Sequence, residues 1–180
     1  VAHAEKMGLK PKREPVLAIE EENEVKVIRT KTNEYRAKTV ILACGAAHRQ
    51  LGIPGEEELS GMGVSYCATC DGAFFQDRTV AVVGGGNVAV EDAILLSRTC
   101  KKVYVVHRRD ELRAEKILQE TLASCENVEM VWNSIPLAIE GTEKVESLKV
   151  KDVHTGEEKG ISVDGVFIAV GILPNTEKFR

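Results

Sequence analysis

The sequence predicts a mixed α/β fold in three layers, built on a parallel sheet with an antiparallel β meander beside it. Three observations predict it. Val80-Ala81-Val82-Val83 is a short continuous apolar run that passes straight into Gly84-Gly85-Gly86. Residues 87–97 follow with helical spacing, and Lys102-Val103-Tyr104-Val105-Val106 then forms a second apolar run. Continuous apolar runs suit strands covered on both faces, and strand–helix–strand with short loops implies parallel strands joined by a right-handed crossover.

The remaining elements follow in order. Residues 1–10 read as the end of a helix closed near Gly8. Residues 15–19, 25–30 and 35–38 are short, β-rich, charged at alternate positions and separated by polar turns such as Thr32-Asn33, as in an antiparallel meander. Thr39-Val40-Ile41-Leu42-Ala43, followed closely by Gly45, reads as a buried strand. Residues 51–63 are rich in Gly, Pro and Glu and read as a linker. Helix 87–97 is expected to place Val90, Ile94 and Leu95 on one face. Residues 111–125 read as a second helix and 129–132 as a short strand. Residues 145–152 and 158–163 read as a hairpin around Thr155-Gly156. Residues 166–170 read as a further buried strand, followed by Gly171 and Pro174.

Composition narrows the function. The 180 residues fit one or two domains, with 43% apolar and 29% charged residues, as in ordinary globular proteins. A net charge of −4 argues against nucleic acid as a main partner, since phosphate binding needs a basic surface. No apolar run reaches the roughly 18 residues of a membrane span, and no basic-then-apolar leader points to secretion. The five cysteines, at 44, 67, 70, 100 and 125, are odd in number and include a single close pair. That pattern fits a reducing cytoplasm with one special pair rather than a disulfide framework. Cys44, Cys100 and Cys125 read as small apolar residues, and Trp132 as partly buried core. The chain opens on Val1 rather than Met and stops at Arg180 shortly after a strand, so a piece of a longer protein is expected.

Gly84-Gly85-Gly86-Asn87-Val88-Ala89 matches G-x-G-x-x-G/A, with a strand before it and a helix after it. Gly84 allows the tight turn, Gly86 lets the backbone approach a pyrophosphate, and Ala89 lets the helix pack near the strand. The amides at the helix start then face an anion. A Rossmann-like dinucleotide-binding domain is the expectation, against a glycine-rich turn with no ligand. The end of the second strand chooses the nucleotide. A carboxylate there would hold a ribose 2′-hydroxyl; this chain instead has His107-Arg108-Arg109, with Arg113 further on. Guanidinium groups bind phosphate, so NADPH is preferred over NADH, the alternative being a solvated charge run.

Cys67-Ala68-Thr69-Cys70 is a C-x-x-C followed by Asp71. Two thiols so spaced at a helix start can close a small disulfide, where the helix dipole lowers a thiolate pKa. Half a zinc site or two structural cysteines remain as alternatives, although no second pair of ligands is evident. Asp71 is adjacent and could exchange protons with the thiols; otherwise it is a turn or capping aspartate.

The ordered set of Cys67-Ala-Thr-Cys-Asp-Gly-Ala-Phe-Phe75, Val82-Val-Gly-Gly-Gly-Asn87, His107-Arg-Arg-Asp110 with Arg113-Ala-Glu115, and Gly165-Val-Phe-Ile-Ala-Val-Gly-Ile-Leu-Pro-Asn-Thr176 closely resembles the low-molecular-weight thioredoxin reductases over essentially the whole chain. The resemblance implies that electrons pass from NADPH through FAD to a Cys67–Cys70 disulfide and on to thioredoxin. In that scheme Cys70 faces the flavin, Cys67 attacks the substrate and Asp71 is the acid. It also implies NADPH contacts at Val170 and Gly171 and FAD contacts at Ala43 and Gly45. Further implications are a homodimer and a nucleotide domain that swings between two orientations. The division implied is 1–62 as the middle of a FAD-binding domain, 63–170 as the NADPH-binding domain and 171–180 as the return to the first.

The family's N-terminal glycine-rich FAD motif and C-terminal Gly-Asp segment are not among these residues, so firm FAD binding by this piece is not expected. Cys44 stands where the family usually has Thr, and Val88 where Ser or Thr is common, which removes one hydroxyl from the expected phosphate contacts. The flavoprotein subunit of alkyl hydroperoxide reductase is a near relative but tends to carry an acidic residue near Arg108-Arg109. A ferredoxin–NADP reductase would lack the cysteine pair. A NADP-binding redox sensor is the non-catalytic alternative.

Overall fold

The computed structural model describes residues 2–179. Val1 and Arg180, the ends of the expected terminal segments, lie outside the described residues. The chain forms two compact units, one of residues 1–47 with 173–180 and the other of residues 48–172.

The smaller unit begins with α1 (Ala2–Lys6), ended by a turn at Gly8 with φ +85°. Strands β1 (Val16–Glu22), β2 (Val25–Thr30) and β3 (Glu34–Ala37) form an antiparallel sheet in that order. Asn23 and Glu24, both at positive φ, make the first hairpin turn. Val27 is fully buried, while β1 and β3 alternate towards solvent. The expected strand at residues 39–43 is absent: the run carries no regular secondary structure, and Ile41 is 92% exposed. An apolar run becomes a buried strand only when another strand takes up its N–H and C=O groups and a layer covers its side chains. No described residue of this unit does either. Cys44, read as a small apolar residue, is exposed.

Strands β4 (Ala46–His48) and β13 (Ile172–Pro174) pair with each other. Residues 51–63 form a series of turns rather than a free linker. Glu56 pins them. It is 3% exposed, and its carboxylate accepts the Leu51 and Gly52 amides at 2.9 and 2.7 Å and the Tyr66 hydroxyl at 2.8 Å. Burial and the Glu56 carboxylate push the Tyr66 phenol up to about 12.

The larger unit is built on a five-stranded parallel sheet. Its strands are β5 (Val64–Ser65), β6 (Thr79–Val83), β7 (Lys102–Val106), β8 (Val128–Val131) and β12 (Gly165–Ile168), in the order β5-β12-β6-β7-β8. Helix α2 (Ala68–Asp71) and a 3-10 turn follow β5, α3 (Asn87–Ser97) joins β6 to β7, and α4 (Lys116–Ala123) joins β7 to β8. Strands β9 (Ser134–Glu140), β10 (Ser147–Asp152) and β11 (Glu158–Ser162) make a second antiparallel meander. The period-two rule of a strand sorts the core into two. Val80, Val82, Val103, Val105 and Phe167 pack with Ala89, Val90, Ala93 and Leu96 of α3. Ala81, Val83, Val106, Val166 and Ile168 pack with Leu148, Val150 and Ile139 of the meander. Helices, parallel sheet and meander are the three layers.

Two helical expectations shift. Leu95 is 36% exposed and lies off the buried stripe, which Leu96 completes. The second helix starts at Lys116 rather than 111, because residues 111–115 are drawn over the glycine turn: the Arg113 amide donates to the Gly85 carbonyl at 2.7 Å, and the Glu115 amide to Asn87 Oδ1 at 2.9 Å. Strand β9 has no counterpart among the sequence expectations.

Candidate active site

Strand β6 delivers the chain into Gly84-Gly85-Gly86, and each glycine is placed differently. Gly84 has φ +151°, a conformation L side chains rarely adopt, and a Cβ there would lie 2.7 Å from the Ala89 Cβ. A Cβ on Gly85 would press against the His107 ring, meeting Cε1 and Nε2, the latter at 2.6 Å. A Cβ on Gly86 would meet nothing within 4 Å, so its missing side chain leaves open room beside the backbone. Gly86 caps α3 without any side-chain hydrogen bond, so no cap side chain takes up the helix's first N–H groups. Asn87 opens the helix and holds Glu115 from both ends of its amide, donating from Nδ2 at 3.2 Å and accepting at 2.9 Å. Its side chain therefore fixes the 111–115 loop. Val88 is 62% exposed and Ala89 fully buried.

His107 follows the end of strand β7, held by amide–carbonyl bonds to Val131 and Ser134 at 3.0 Å each. The ring packs on Gly85 and meets Trp132 edge-on at 6.4 Å. It is 8% exposed, and Nε2 has no hydrogen-bond partner among the described residues. Burial, with Arg109, Arg108 and Arg113 nearby, pushes the imidazole below its ordinary value against the opposing pull of a hydrogen bond to the Glu111 backbone. Arg108, Arg109 and Arg113 are exposed, and among the described residues none pairs with a carboxylate.

These elements border one cleft of about 710 Å³ in the larger unit. It brings together Gly84, Gly85, Gly86, Asn87, Val88, Ala89, His107, Arg108, Arg109, Arg113, Val170 and Gly171. Sequence reasoning missed other residues that line it: Arg49, Gln50, Leu51 and Ile53 from the turns after β4, and Ser134, Ile135 and Pro136 from β9. Arg49 reaches the cleft because its amide donates to the Gly171 carbonyl at 3.0 Å, a long-range pairing with no local signal. Pro136 interrupts the strand pattern of β9 and hid it. A cleft of this size with an uncapped helix start, an orphaned buried ring nitrogen and three unpaired guanidiniums fits a phosphorylated dinucleotide.

Cys67 and Cys70 are joined in a disulfide, with Cα atoms 5.3 Å apart. Cys67 is the N-cap of α2, its Sγ accepting the Cys70 amide at 3.2 Å. Cys67 is half-buried and Cys70 exposed. Asp71 follows, half-buried, and its Oδ2 accepts the Ser65 hydroxyl at 2.6 Å. Phe75 lies under this turn against Gly165, where a Cβ would strike its ring, and edge-on to Phe167. Ala43 and Gly45 belong to the smaller unit, both exposed. Gly45 has φ +71°, and its carbonyl accepts the Asn175 amide at 3.0 Å. Among the described residues no group of three or more His, Cys, Asp or Glu could hold a metal. No described helix is long and apolar enough to cross a membrane.

A cleft beside a parallel sheet and a C-x-x-C disulfide occur in one unit, and residues 6–180 match the model of the pyridine nucleotide-disulphide oxidoreductases; the chain belongs to that family. Among similar proteins, the thioredoxin reductase of Streptomyces coelicolor is 45% identical over 180 residues, covering 99% of this chain and 56% of its own length. That of Bacillus subtilis is 44% identical over 179 residues, 99% of this chain and 57% of its own. Of solved structures, thioredoxin reductase from Giardia duodenalis superposes with a TM-score of 0.85 at 32% identity, over 99% of this chain and 59% of that one. The Lactococcus lactis thioredoxin reductase gives 0.78 at 43% identity, over 93% and 56%. The chain thus spans little more than half the length of the curated relatives it matches.

Proposed function

We propose that these residues are the nucleotide-binding and redox-active part of an NADPH-dependent thioredoxin-disulfide reductase. The observation that carries the reading is the Cys67–Cys70 disulfide at the start of α2, in the same unit as the nucleotide cleft. In this reading residues 63–170 are the NADPH-binding domain, and 1–62 with 171–180 belong to a FAD-binding domain that includes Ala43 and Gly45. The glycine turn and the start of α3 hold the pyrophosphate. Arg108, Arg109 and Arg113 hold the 2′-phosphate, and their lack of carboxylate partners favours NADPH over NADH. The His107 ring packs beside the nucleotide, and Val170 and Gly171 border it from the end of β12. Bound there, the nicotinamide would supply a hydride, and a flavin held by the FAD-binding domain would supply the route for the electron pair to Cys67 and Cys70. Cys70 is the flavin-facing sulfur, Cys67 attacks the thioredoxin disulfide, and Asp71 exchanges protons with the thiols. A cytoplasmic homodimer with thioredoxin as its partner belongs to the same reading.

The test is thioredoxin reduction by the whole enzyme that carries these residues, with NADPH and NADH compared. NADPH-driven turnover that disappears in Cys70→Ser is expected. Nucleotide binding without any disulfide transfer would overturn the reading in favour of a redox sensor.

A further inference from the structure

We propose that Ser65 is a positioning residue for the redox pair: its hydroxyl fixes the Asp71 carboxylate against the Cys67–Cys70 turn, and thiol–disulfide exchange depends on that bond. The inference rests on the reading that Asp71 moves protons for the thiols. Ser65 closes the two-residue strand β5, which is anchored by parallel pairing with β12 at Phe167. It is 5% exposed, so its hydroxyl has little access to water. Its Oγ accepts the Cys67 amide at 3.1 Å and donates to Asp71 Oδ2 at 2.6 Å. The Cys67 carbonyl also lies 3.4 Å from this oxygen, but a hydroxyl has a single proton, and the nearer carboxylate is the stronger acceptor. The distance to Asp71 is that of a charge-assisted bond.

Among the described residues nothing else holds that carboxylate. Asp71 precedes the 3-10 turn at Gly72–Phe75 without a side-chain capping bond, and its Oδ1 has no hydrogen-bond partner among the described residues. Its amide meanwhile donates to the Cys67 carbonyl at 3.1 Å. One hydroxyl therefore links the rigid sheet, the backbone of one redox cysteine and the acid beside the other. Oδ2 is occupied by Ser65, which leaves Oδ1 as the oxygen that takes or gives a proton.

The reaction affected is exchange of the reduced pair with a disulfide. The Cys67 thiolate attacks one sulfur of the substrate, a mixed disulfide forms and the first thiolate leaves. Cys70 sulfur then attacks Cys67 Sγ, the mixed disulfide breaks and the second thiolate leaves. The pair is oxidised by two electrons and the substrate disulfide reduced by the same two. The two protons of the cysteine thiols end on the two released thiols, and Asp71 is the group that passes them. A carboxylate free to rotate spends less time in reach of the sulfurs, and a loss of about tenfold is the expected scale.

The test uses the whole chain, reduced with dithiothreitol, freed of it and mixed with oxidised glutathione. Samples are acid-quenched and alkylated, and closure of Cys67–Cys70 is read by peptide mass, which separates this pair from Cys44, Cys100 and Cys125. Ser65→Ala is expected to slow closure about tenfold, and to slow it no further when Asp71→Asn is already present. Ser65→Thr keeps the hydroxyl, and a cavity of about 160 Å³ bordering Ser65 and Asp71 has room for its methyl group. It is expected to close near the parent rate, while Ser65→Val, of the same shape without the hydroxyl, is slow. That pair reads the hydroxyl even if Ser65→Ala folds poorly. Parent rates in Ser65→Ala and Ser65→Val, or an equal slowing in the Asp71→Asn background, overturn the Ser65 role while leaving Asp71 as the acid. A parent rate in Asp71→Asn removes the acid role itself, and this inference with it.

Discussion

Replacing Arg108 and Arg113 together by alanine tests the nucleotide assignment directly. Both side chains line the cleft, both are exposed, and neither is paired with a carboxylate among the described residues. No intramolecular ion pair is then lost, so the change reads on the ligand. A charge-assisted bond is worth about 1.5–3 kcal/mol, and solvent exposure reduces this to about 1–1.5 kcal/mol for each arginine. The pair then supplies about 2–3 kcal/mol to a nucleotide bearing a 2′-phosphate, an affinity loss of about 30- to 150-fold for NADPH. NADH lacks that phosphate and should change less than about threefold by the same arithmetic. The chain has a single tryptophan, Trp132, whose ring lies 6.4 Å from that of His107 beside the cleft. Quenching of its emission by the reduced nicotinamide gives both dissociation constants in one assay. An unchanged preference, or an equal loss for both nucleotides, refutes the phosphate assignment.

Two further outcomes are expected. Gly85→Ala places a methyl group 2.6 Å from His107 Nε2, and the displaced ring distorts the cleft. Overpacking of this kind costs about 1–3 kcal/mol, and nucleotide affinity should fall about tenfold or more; titrations within twofold of the parent would count against it. Asp92 on α3 is pushed up to about 6, first by burial and then by Glu91, from an ordinary value of 3.8. The fold thus prefers its neutral form, so stability is lost as pH rises from 3.8 through 6 and the full penalty stands above. Asp92→Asn is uncharged throughout and should gain about 1–3 kcal/mol at pH near 8 and almost nothing below pH about 4. Thermal melts followed by Trp132 emission at both pH values check this, and an equal shift at the two would contradict it.

What the sequence made legible was chemistry carried by neighbours along the chain. The glycine turn, the arginines after β7 and the C-x-x-C declare themselves within a few residues, because each depends on a local backbone conformation. Readings failed where an outcome depends on distant partners. Residues 39–43 have the composition of a buried strand, but pairing and cover come from elsewhere. Residues 111–115 have helical spacing, yet Gly85 and Asn87 recruit their backbone for another purpose. Residues 51–63 look like a linker because Gly and Pro dominate, and only the buried Glu56 carboxylate shows that they are fastened down. Ser65 had no signal at all, since its importance lies in two hydrogen bonds and a burial that composition does not reveal.

The contact between Gly85 and His107 also has a meaning for descent. The two residues share one volume, although they sit in separate loops and belong to what reads as two separate motifs. A side chain at 85 and the ring at 107 compete for that volume. A methyl group at 85 is accommodated at lower cost once 107 carries a smaller residue, and the histidine at 107 packs without strain while 85 is glycine. The turn after β6 and the strand end after β7 are therefore coupled through packing, and the order in which changes enter at 85 and 107 sets what each one costs.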